Sequence, residues 1–91
     1  GNLKKYLIKG SVVFSKSINL ITVESQISEE LEIIQKKFLK KVEIGSYPFF
    51  RLGKVGVSLV LRSSSKIQIN LCKKNIDKLI KNKKIKLFKK S

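Results

Sequence analysis

Apolar residues recur along this chain with two periods, and they divide it into alternating strand and helix segments. Ile27, Leu31, Ile34 and Phe38 follow at spacings of four, three and four, which is one face of a helix. Ser25 stands where an N-cap is needed, and Glu29, Glu30 and Glu32 occupy the early turns that the helix dipole makes favourable for acids. Lys36, Lys37, Lys40 and Lys41 crowd the other end, where cations are favoured. A second stripe, Ile69, Cys72, Ile76, Leu79 and Ile80, predicts a helix from Lys66 to Asn82, set off by Ser63–Ser65.

The period-2 segments are three, with a fourth in outline. Ser11–Glu24 is rich in β-branched residues; Val12, Phe14, Lys16, Ile18, Leu20 and Thr22 form the parity suited to the core, and a bend is allowed near Lys16–Asn19. Val42–Tyr47 alternates as far as Pro48, which removes a ladder donor and so predicts a sheet edge. Phe49–Arg51 and Lys54–Leu61 flank Leu52-Gly53, a two-residue hairpin loop in which the glycine supplies a positive φ. Val55, Val57, Leu59 and Leu61 make a clean alternating row, with Val60 on the other face, so this strand belongs in the middle of the sheet. Ile85 and Leu87 alternate with Lys84 and Lys86, which allows a short last strand beside the first.

The resulting order, β-α-β-β-α(β), predicts an α+β domain of ferredoxin-like or KH-like plan: a three- to four-stranded antiparallel sheet with two helices on one face. Residues 10–82 would form this accessory domain. Residues 1–9 read as a lead-in from an upstream domain, with Gly1 as a tag scar. Residues 83–91 read as a basic tail.

Composition narrows what such a domain can do. The chain has 91 residues and no methionine, so it reads as a segment of a longer protein. That length supports one modest core and no deep pocket walled by this chain alone. Histidine is absent and Cys72 is the single cysteine, which excludes an internal disulfide, a zinc site and the His-based catalytic groupings within the chain. The six acids fall mostly in the first helix, so no metal site and no catalytic residue is expected. No apolar run spans a membrane and no signal peptide is visible, which makes the cytoplasm the expected compartment.

The formal net charge is +15, carried by 19 lysines and only two arginines, Arg51 and Arg62. Phosphate and base readers favour the planar fork of arginine, so a solvated basic surface is the stronger reading and a stand-alone nucleic-acid-binding module the alternative. Between Lys73 and Lys90 stand nine lysines and one acid, a tail suited to solvent. Gly53-Lys54-Val55-Gly56 spells the GXXG loop of KH domains, but it falls on a hairpin and not between helices. The third strand carries none of the stacking aromatics of an RNA-recognition motif.

Strand physics does not require Val42-Glu43-Ile44-Gly45-Ser46-Tyr47-Pro48-Phe49-Phe50-Arg51. Together with Gly53 to Ser63, with Val23-Glu24-Ser25-Gln26-Ile27, and with Lys9-Gly10-Ser11-Val12, it resembles the C-terminal region of CinA-like (competence/damage-inducible protein A) proteins, with relatives in the molybdopterin-binding-like half of animal FAD synthases. The resemblance runs from about Leu3 to Ile80. Leu52 departs from it, since Asn or Asp is expected there, and the stretch after Ile80 has no counterpart.

The resemblance implies an accessory and assembly domain beside an N-terminal molybdopterin-binding, MoaB/MogA-like domain. That domain would bind or hydrolyse a nucleotide- or pterin-type ligand, with a divalent metal and ADP-ribose or FAD-type pyrophosphates as candidates. This segment would itself hold no cofactor. Its partners would be the parent's own N-terminal domain and, as an open alternative, a second copy, with neither nucleic acid nor membrane. Ser46, Tyr47, Pro48, Phe49, Phe50 and Arg51 are the candidate ligand or interface residues, because they join a stiff backbone, exposed rings and a fixed cation on an edge strand. Shaping the hairpin alone is the competing role for Tyr47-Pro48.

Overall fold

A computed structural model describes residues 3–88; Gly1, Asn2 and the tail's Lys89, Lys90 and Ser91 lie outside the described residues. The elements are β1 (Lys4–Ile8), β2 (Ser11–Ile21), α1 (Glu24–Lys37), β3 (Glu43–Arg51), β4 (Lys54–Ser63), α2 (Lys66–Lys83) and β5 (Lys86–Leu87). All strands join one antiparallel sheet in the order β1-β2-β4-β3, with β5 also on β2. The predicted α+β plan is what forms. Strands β2 and β3 run parallel with β4 between them, which is the split β-α-β arrangement.

One strand is added to the expected set. The lead-in carries β1, turned back onto β2 by Lys9 and Gly10, both at positive φ. β1 pairs with Ser11–Ser15 and β5 with Leu20–Ile21, so both lie along the same edge of β2. The β2–β4 register runs without slip from Phe14 to Leu20, so no bulge interrupts the segment where a bend was allowed.

The core lies on one side of the sheet. Ile18 and Leu20 of β2 and Val57, Leu59 and Leu61 of β4 meet the helix stripes Ile27, Leu31, Ile34 and Ile69, Cys72, Ile76, Leu79 in one buried cluster. Each such side chain contributes roughly 1.5–3 kcal/mol of burial free energy before entropy is charged. Both helices therefore cover the same face, and no element among the described residues covers the other sheet face.

The helix ends differ from expectation in one place. α1 begins at Glu24 behind Val23, which makes no side-chain cap, so Ser25 lies within the first turn and is not the N-cap. Glu24 takes the acid's place at the dipole, and its carboxylate accepts a hydrogen bond from Ser46 Oγ at 3.1 Å. α2 is capped as its sequence suggests, with Ser65 Oγ accepting from the Gln68 amide. It ends in a Schellman turn: Lys84 is left-handed, and the amides of Lys84 and Ile85 donate to Lys81 and Ile80. That turn aims the chain back at β2.

The Leu52-Gly53 loop is tight despite its leucine, with φ of 53° at Leu52 and 73° at Gly53. Both values suit a type I′ hairpin. A side chain branched at Cγ gains nothing from a left-handed backbone, whereas Asn tolerates it through local hydrogen bonding. Leu52→Asn is expected to raise stability by about 1 kcal/mol, read as a higher denaturant midpoint at unchanged slope.

Candidate functional site

The strand period divides the six candidate residues between two surfaces. In β3, Ser46, Pro48 and Phe50 pair with Leu59, Val57 and Val55 and so point to the helix side. Tyr47, Phe49 and Arg51 pair with Ser58, Gly56 and Lys54 and point to the open face. The structure brings each trio together but not the six. Alternation along an edge strand was the signal that could have separated them.

On the helix side, Ser46 holds the start of α1 through Glu24, and the tip of the hairpin is apolar and bare. Phe50 is 71% exposed and Leu52 80%, beside the half-exposed Val55. Val23 and Leu87 add exposed apolar surface from other elements. Lone exposed apolar residues are ordinary; three within one hairpin tip make an exposed apolar patch.

On the open face, the Phe49 ring lies on its cross-strand neighbour Gly56, where a side chain would meet Phe49 Cζ and the Leu20 carbonyl oxygen. It reaches Phe88, which packs edge-on at 5.3 Å between ring centroids and 62° between planes. The Phe88 amide donates to the Asn19 carbonyl at 2.9 Å, which fixes the residue after β5 in the sheet. Beside the two rings opens a pocket of about 360 Å³ lined by Asn19, Phe49, Arg51, Ser58 and Phe88. By register the same face carries Lys4, Arg51, Lys54, Arg62 and Lys86, with Glu43 at the far end of β3 as the one acid among the described residues. Phe88 falls beyond the last periodic residue and carries no sequence signal of its part here.

A larger hollow of about 650 Å³ lies at the other end of the sheet, between the end of α1 and the start of β3; Leu39, Lys40, Ile44 and Arg62 are among its walls. It has no aromatic ring, and Gln35, Glu43, Ser63 and Ser64 add polar groups to its lining.

Titratable chemistry is sparse. Cys72 is fully buried in α2's stripe, and burial pushes its thiol up to about 11, which keeps it protonated and unreactive at neutral pH. Lys83 Nζ reaches Glu30 at 3.0 Å and the Gln26 carbonyl at 2.7 Å, and its hydrogen bond holds the Glu30 carboxyl below the usual range. These contacts tie the end of α2 to the start of α1. No cluster of His, Cys, Asp or Glu among the described residues could hold a metal. No helix among them is long and apolar enough to cross a membrane.

The family follows from how far along this architecture a known sequence pattern extends. The family model described as FAD synthase, middle domain, matches residues 12–89, from β2 through both helices to the segment after β5. The chain belongs to the FAD synthase middle-domain family. No curated protein matches the sequence.

Membership of the FAD synthase middle-domain family corrects the CinA-like reading. The letters that carried that reading sit mainly in the β3–β4 hairpin and the step from β2 into α1, both local units. The resemblance had no counterpart after Ile80, whereas the FAD synthase middle-domain pattern accounts for the end of α2 and for β5 as well. A hairpin signature reports a fold segment; the whole length of the domain separates one family from another.

Proposed function

We propose that this chain serves as a non-catalytic accessory domain of a FAD synthase, and that its β3–β4 hairpin tip packs against a neighbouring domain of the same protein. The family match over residues 12–89 carries this reading. The name of the family makes the parent an enzyme handling a nucleotide cofactor. The chemistry, with any divalent metal it uses, then belongs to other parts of that protein. Two features of the chain support the division of labour: the sole thiol is buried and protonated, and the described acids do not converge. The reduced, buried Cys72 also suits a cytoplasmic protein.

The tip is the part built for contact. Pro48 and the two-residue turn fix its backbone, so little conformational entropy is lost when Phe50, Leu52 and Val55 are covered. Exposed aromatic anchors on a rigid support are what interfaces use.

The test pairs Phe50→Ala with Leu52→Asn in the full-length parent. The second change stabilises the hairpin while removing its apolar tip, so loss of function cannot be ascribed to unfolding. Each should lower the rate of FAD formation or the parent's assembly severalfold, with the domain's melting temperature maintained for Leu52→Asn. Unchanged rate and assembly in both variants would remove the basis for this interface. Restoration of wild-type behaviour only at high protein concentration would assign the tip to a second copy instead.

A further inference from the structure

The open sheet face carries a site that the hairpin-tip reading does not use. Its pocket has an aromatic wall, Phe49 with Phe88, locked together edge to face. The Asn19 amide and the Ser58 hydroxyl line it, on directly paired residues of β2 and β4, and neither side chain hydrogen-bonds to another described residue. Arg51 borders it with a guanidinium that forms no ion pair with any described residue. Flat rings can pack on a base, an amide and a hydroxyl can read its edge, and a planar cation can hold a phosphate, which together suit a nucleotide. The local charge agrees: Lys54 is Arg51's strand partner, Lys86 follows on β5, and Glu43 lies at the opposite end of β3.

Size and layout narrow the ligand further. About 360 Å³ is room for one base with its sugar phosphate. A platform for single-stranded nucleic acid needs a row of rings along the central strands. Here β2 and β4 present Ser15, Ser17, Asn19, Gly56, Ser58 and Val60 to this face and no ring; the aromatic residues on it belong to the flanking segments, Tyr6 on β1, Tyr47 and Phe49 on β3, and Phe88 after β5.

We propose that the Phe49–Phe88 pocket on the open face is a mononucleotide-binding site, with the rings packing on the base, Asn19 and Ser58 at its edge, and Arg51 on the phosphate. The choice of a nucleotide rests on the FAD synthase reading above; the site itself rests on the residues that build it. In the parent it would hold substrate or product near the catalytic parts.

The experiment titrates the ¹⁵N-labelled chain with AMP and with FMN, following backbone amide shifts at low salt. At least one should move the amides of Asn19, Phe49, Arg51, Ser58 and Phe88 together, with a dissociation constant on the order of 100 μM. Adenosine and riboflavin, which lack the phosphate, should bind about tenfold more weakly. Arg51→Gln should abolish that difference, and Phe49→Leu should weaken both nucleotide and nucleoside by about tenfold. The same spectra report whether each variant is folded. The proposal is overturned by no shifts at about 5 mM of either probe, by wild-type affinity in Arg51→Gln, or by inorganic phosphate binding as tightly as AMP. It is equally overturned if a ten-residue oligothymidine binds more than about 100-fold tighter than either nucleotide, which would make the face a strand platform. None of these results touches the hairpin-tip reading, whose variants, Phe50→Ala and Leu52→Asn, replace no residue that lines the pocket.

Discussion

Replacing Gly56 by alanine is expected to cost about 3 kcal/mol, toward the upper end for an overpacked site. A Cβ at this position would stand 2.6 Å from the Leu20 carbonyl oxygen and within the space of the Phe49 ring. The ring can swing away, but the carbonyl belongs to the paired backbone of β2 and has nowhere to go. At roughly 4–8 °C per kcal/mol for a domain of this size, the melting temperature should fall by roughly 12–24 °C. Phe49→Ala in the same chain should recover only the part due to the ring, giving a coupling energy of about 1 kcal/mol in a double-mutant cycle. A Gly56→Ala variant that melts within about 2 °C of the unsubstituted chain would show that the β2 backbone at Leu20 yields to the added methyl. The same substitution should displace Phe49 from Phe88, so it doubles as a structural probe of the open-face pocket.

A comparable loss is expected at the centre of the core. Leu59 is fully buried in β4, paired with Ile18 on one side and Ser46 on the other, beneath both helices. Leu59→Ala removes that burial and leaves a cavity that a strand held in register on both sides cannot close. The cost should be about 3–4 kcal/mol. A domain of this length has roughly 5–13 kcal/mol in total, so urea unfolding should shift to a much lower midpoint at similar slope. Leu39→Ala is the matched control, since Leu39 is 68% exposed and its truncation should stay within about 0.5 kcal/mol. Similar midpoints for the two variants would mean that Leu59 is not where the core is centred.

Where hydrophobic period was strong, the fold was readable from residues alone. The stripes of α1 and α2 and the alternation of β4 each have one geometric solution, and Pro48 correctly sent β3 to an edge. β1 was not readable, because Lys4-Lys5-Tyr6-Leu7-Ile8 has no alternation and its turn lacks the usual Asn-Gly signature. It forms because Lys9 and Gly10 both adopt positive φ and β2 offers a free edge. The cap at Ser25 was misplaced by two residues because Val23 enters the helix extended and Glu24 supplies the favourable charge.

The candidate surface was legible as a stretch and illegible as a shape. Tyr47 to Arg51 stood out by composition, but the residues that complete the open-face pocket come from β2, β4 and the segment after β5. Their convergence depends on strand order, which no local pattern encodes. The family assignment failed for a related reason: a distinctive hairpin weighed more than the featureless lysine-rich helix and strand that follow it.

The shared edge of β2 has a consequence for how this domain sits in a longer chain. β1 enters opposite Ser15, and the segment after β5 arrives opposite Asn19, running toward the place where the chain came in. Four residues of strand separate these points, about 13 Å at the usual rise. Entry and exit are therefore side by side, like the two ends of a loop closed by a clasp. In a longer protein the domain would hang as a pendant: the preceding and following segments would stay neighbours whether or not it was present. The hairpin tip and the open-face pocket could then be carried toward or away from a partner by rotation about a single attachment point.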